Sequence, residues 1–100
     1  MNISDRYRAL VEEVRGLGKR VCGDKVRRLV ARAVEELAIH EESVGDIPQL
    51  RLEGELTPVL LKAHTQLDRG RLLLEETGEE DLAAAVWEAE QRIYRLLNAL

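Results

Sequence analysis

The sequence predicts an all-α fold: an antiparallel four-helix bundle in up-down-up-down order. Apolar residues recur at alternating steps of three and four in four separate segments, the spacing that gathers them on one helix face. Leu, Ala, Arg and Glu are abundant and Phe is absent, and long unbranched side chains lose little rotamer freedom on a helix. Short connections follow the first and third segments, which forces antiparallel neighbours. One hundred residues fall within the usual size of one domain, so 1–100 reads as a single unit.

The first apolar seam runs Tyr7, Leu10, Val14, Leu17, Val21. Ser4 is the expected N-cap, giving a helix over 4–20. Gly16 and Gly18 interrupt it, and each costs about 1 kcal/mol against Ala in a helix interior. If the helix stops there, the bundle has three long helices and a short leading one. The second seam runs Val26, Val30, Ala33, Leu37, His40, Val44. Asp24 suits its N-cap and Gly45 its end, giving 24–44.

The third seam runs Leu56, Leu60, Ala63, Leu67, Gly70, Leu74. Thr57 followed by Pro58 reads as a cap and a first helical position, giving 57–77. Gly78 then occupies the site of a left-handed helix stop. The fourth seam runs Leu82, Val86, Ala89, Ile93, Leu96, Leu100. Glu79, Glu80 and Asp81 suit the positive end of its dipole, giving 79–100. In the 45–56 connection Leu50 and Leu52 alternate with charges, so this stretch is expected to cross one end of the bundle. Antiparallel register sets Leu37 beside Leu10, His40 beside Tyr7, and Gly70 beside Ala89, where two backbones could approach closely.

The net charge of −4 weighs against nucleic acid as a partner. Charge is uneven: residues 1–40 hold nine Lys/Arg and six Asp/Glu, and residues 41–100 hold six and thirteen. A basic stretch of Lys19, Arg20, Lys25, Arg27, Arg28 and Arg32 surrounds the start of the second segment. A weak phosphate or nucleic-acid contact through Arg27, Arg28 and Arg32 is a minor alternative. No aromatic residue interleaves to stack on bases. Cys22 is the single cysteine, which rules out an internal disulfide and a Cys-based zinc site. No basic-then-apolar leader and no membrane-length apolar run stand in the chain, so a cytoplasmic protein is expected.

Chemistry-bearing residues are sparse. His40 breaks an aliphatic seam, and the register sets it near Tyr7 and within a layer of His64. Tyr7, His40 and His64 are therefore the candidate ligand-binding residues, although a core histidine satisfied by a tyrosine hydroxyl explains the same pattern. Glu36/His40 and His64/Asp68 are spaced to share a face. The Glu-x-x-His spacing of di-iron bundles is missing, because Leu37 and Leu61 stand where the glutamates would be. Glu35, Glu36, Glu41 and Glu42 cluster on one segment, but only Asp68 faces them from the third, too little to hold Mg²⁺ around a pyrophosphate. A small-ligand or metal-binding bundle centred on His40 is the alternative reading, with no catalytic set, specific metal or cofactor assigned. A non-enzymatic protein is expected.

Surplus apolar surface is the stronger signal. Trp87 and Tyr94 stand one position past the fourth seam. Leu61 and Leu72 stand off the third and return to nearly the same face. A four-helix core does not need all four, and such patches mark protein contacts. The expected function is protein–protein association, as a homodimer or a small adaptor, through Leu61, Leu72, Trp87 and Tyr94.

Overall fold

The computed structural model describes residues 2–100. Four helices, α1 (Ile3–Arg20), α2 (Asp24–Ala38), α3 (Gln49–Glu76) and α4 (Glu80–Ala99), stand with one 3₁₀ turn (Val44–Asp46). No strand occurs among the described residues. Each helix packs on two others: α1 on α2 and α4, and α3 on α2 and α4. This is the square, antiparallel up-down-up-down bundle that the four seams require. It is 43 Å long and 20 Å across. Its core joins all four helices, with Tyr7, Val14, Val30, Leu37, Leu60, Leu67, Val86 and Ile93 fully buried. No helix among the described residues is long and apolar enough to cross a membrane.

The ends of the helices differ from expectation for identifiable reasons. Asn2, rather than Ser4, caps α1: its Oδ1 accepts from the Asp5 N–H at 2.8 Å. Asparagine and serine are equally good caps, and the upstream one starts the helix two residues earlier. The helix then runs unbroken through Gly16 and Gly18. Burial of Leu10, Val14 and Leu17 on one face outweighs the low propensity of two glycines. At α2, Gly23 is the cap and Asp24 the first helical residue, with its carboxylate in the first turn, where the helix dipole favours it.

α2 ends at Ala38, not Val44. Side chains of α1 take the carbonyls at its end. The Tyr7 hydroxyl donates to the Leu37 carbonyl at 2.5 Å. Arg8 donates to the carbonyls of Glu41 at 3.0 Å and Glu42 at 3.2 Å. These lateral partners replace the helical ones, and Val44 folds back to close the end of the core.

α3 starts eight residues before Thr57. Pro48 is its N-cap, and the Pro48 carbonyl accepts from Arg51 N at 2.8 Å. Leu52 is buried and carries the seam one turn back from Leu56. Pro58 therefore lies inside the helix. It is tolerated because both Pro58 and Gly54, whose carbonyl it cannot satisfy, face solvent. Leu50 points fully outward at 99% exposure. Gly78 ends α3 with φ +78°, and Glu79 N donates back to the Leu74 carbonyl at 2.8 Å. Gly70 is not set against Ala89: a β-carbon there would lie 3.8 Å from Val26 and 3.9 Å from Leu29 on α2.

Candidate functional site

The three residues expected to form a ligand site do not converge. Tyr7 is fully buried, and its hydroxyl is engaged at the end of α2. Burial raises its pKa well above the ordinary phenol value, with the Glu41 and Glu36 charges adding to this. His40 lies just past α2, its Nε2 3.9 Å from Glu55 Oε2 on α3. His64 sits nine residues beyond Glu55, about 13 Å along the helix at ~1.5 Å per residue, and turns toward α4. No group of three or more His, Cys, Asp or Glu among the described residues could hold a metal ion.

The basic stretch is dispersed as well. Arg27 Nη2 donates to the Val21 and Cys22 carbonyls at 3.4 and 3.5 Å, closing the α1–α2 turn. Arg28 and Arg32 are solvated. Cys22 is a free, exposed thiol.

A polar cluster does form between α3 and α4, and sequence reasoning did not assemble it. Its centre is Glu90, which is fully buried. Its Oε2 accepts from Arg71 Nε at 3.2 Å. Arg71 also holds Asp68 at 2.7 Å and Glu75 at 2.8 Å. On the other side His64 Nε2 lies 3.4 Å from Glu90 Oε1, and neither atom makes a hydrogen bond. Burial pushes the Glu90 carboxyl up to about 7, and the hydrogen bond and charge of Asp68 push the same way, against Arg71. Asp68 is held below its ordinary value, chiefly by its hydrogen bond with Arg71.

This cluster backs an aromatic pair. The Arg71 guanidinium lies 5.3 Å from the Trp87 ring centre, within cation–π range. The His64 ring meets Tyr94 edge-on, 4.7 Å between centroids at 61°. Trp87 and Tyr94 are thus held by their neighbours yet remain 46% and 47% exposed. Leu61 and Leu72, on the outer side of α3, are 49% and 47% exposed. All four open on the same α3–α4 side of the bundle. Beside Trp87 the surface dips into a depression of about 560 Å³ lined by Arg71, Glu75, Glu80, Ala83 and Ala84.

A signal for the cluster was present. Ala83, Val86, Glu90, Ile93 and Leu97 form a second stripe at helical spacing on α4, and Glu90 is the one charge in it. His64, Asp68, Arg71 and Glu75 form the matching stripe on α3. Charged residues read as solvated surface, and that habit hid the pairing.

Comparison of the chain with protein-family models, curated proteins and solved structures finds no match. The fold and the site define an all-α bundle with a half-exposed apolar face on α3 and α4, and function must be argued from that face.

Proposed function

We propose that the chain is a protein–protein association module, as a homodimer or a small adaptor, and that the α3–α4 face is its contact surface. The observation that carries this reading is the set of four large side chains, Leu61, Leu72, Trp87 and Tyr94, left half-exposed on one side of a bundle whose core is otherwise filled. Aromatic anchors fixed before contact lose little side-chain entropy on binding, which favours their use as hot spots. The free, exposed Cys22 suits a reducing compartment, and we place the protein in the cytoplasm on that ground.

The test is capture by the tagged full chain from the source lysate, comparing the native sequence with Trp87→Ala. We expect the native chain to retain a protein, a second copy or another species, that Trp87→Ala loses while keeping its helical circular dichroism. Identical captures by two folded chains would overturn the reading.

A further inference from the structure

The four exposed side chains are arranged symmetrically. Leu61 and Leu72 stand eleven residues apart on α3, and their midpoint falls between Gln66 and Leu67. Trp87 and Tyr94 stand seven apart on α4, with their midpoint between Glu90 and Gln91. The cross-helix contacts, Arg71 with Trp87 and His64 with Tyr94, set these two midpoints level. A two-fold axis lying in the face and crossing both helices there superposes leucine on leucine and aromatic on aromatic.

We propose that the occupant of this face is a second copy of the chain, packed antiparallel about that axis. Leu61 of one copy then meets the partner's Leu72, and Trp87 meets the partner's Tyr94, each contact occurring twice. The proposal rests on the association reading above and names its partner.

Charge and area agree with it. The α3–α4 hairpin end carries Glu75, Glu76, Glu79 and Glu80. The antiparallel arrangement keeps the two acidic hairpin ends apart. A parallel two-fold would set acidic ends side by side, which costs specificity and encounter rate. The 43 × 20 Å outline of the bundle bounds the face at about the ~800 Å² per partner that a standard interface buries.

The experiment is sedimentation equilibrium of the purified full chain up to ~1 mM, with Trp87→Ala alongside. The expected result is a dimer whose dissociation constant rises at least ~10-fold in Trp87→Ala, because a central aromatic anchor is removed. Circular dichroism keeps the two chains comparable. Orientation is read in a Cys22→Ser background by mixing Leu61→Cys with Leu72→Cys and oxidising gently. The mixed disulfide should exceed both self-disulfides. A purified chain that stays monomeric to ~1 mM overturns the dimer, while a Trp87-dependent capture of a different protein would leave the association reading standing. A dimer that favours the self-disulfides overturns the antiparallel arrangement.

Discussion

Glu90 is the one fully buried charged side chain among the described residues. Its carboxyl titrates near 4.5 when unperturbed and at about 7 in the fold. Between those values the native state binds a proton that the unfolded chain has lost, so stability falls as pH rises through this window. Its contribution is fully present below about pH 4.5 and gone above about pH 7. Asp68 and Glu41, held low by Arg71 and Arg15, act oppositely, and their stabilisation is lost only in acid below the ordinary carboxylate range. Thermal midpoints of the native chain should therefore decline from about pH 4.5 to about pH 7, and those of Glu90→Gln should decline less. Parallel profiles would assign the slope to another group. At the other end of the bundle, Tyr7→Phe removes the hydroxyl that donates to the Leu37 carbonyl. The Leu37 carbonyl then keeps only weak backbone donors such as His40 N at 3.4 Å, and stability should fall by about 1 kcal/mol in urea unfolding. An unchanged midpoint would mean that water replaces the hydroxyl there.

At the scale of the helices, the seams were legible and the ends were not. Steps of three and four located all four helices, because burial of one face decides where a helix forms. The end of α2 depends on Tyr7 and Arg8 from another helix, and no local signal at residues 38–44 encodes that. Thr57–Pro58 had the form of a helix start, but exposure of Pro58 and Gly54 lets the proline sit inside. The four exposed residues were legible individually, as positions off the seam. The Glu90–Arg71 pairing was not, because it requires knowing that two charged stripes face each other. The helix glycines give a further check. A β-carbon at Gly16 meets nothing within 4 Å, so Gly16→Ala should stabilise the protein by about 0.5–1 kcal/mol. Gly78, at φ +78°, should behave oppositely, and Gly78→Ala should destabilise by about 1–2 kcal/mol. Chemical denaturation of the two variants reads both signs, and a shared sign would contradict the account of where glycine is required.

At the scale of the whole molecule, a bundle 20 Å across has one side that its own core does not cover. The other large exposed apolar side chains are Ile39, just past α2, and Leu50, in the first turn of α3. The α3–α4 side spends a buried ion cluster on fixing two aromatic rings that remain half in water. Burying such a cluster rarely adds net stability, and in the association reading proposed above its role is to hold Trp87 and Tyr94 for contact. The most direct test of that claim is the mass of the purified full chain by sedimentation equilibrium, for the native sequence and for Trp87→Ala. The account predicts a native dimer, and a Trp87→Ala chain equally helical but dissociating at least ~10-fold more readily. A Trp87→Ala chain that unfolds while its remaining folded fraction associates as the native one does would place Trp87 in the core and contradict the account.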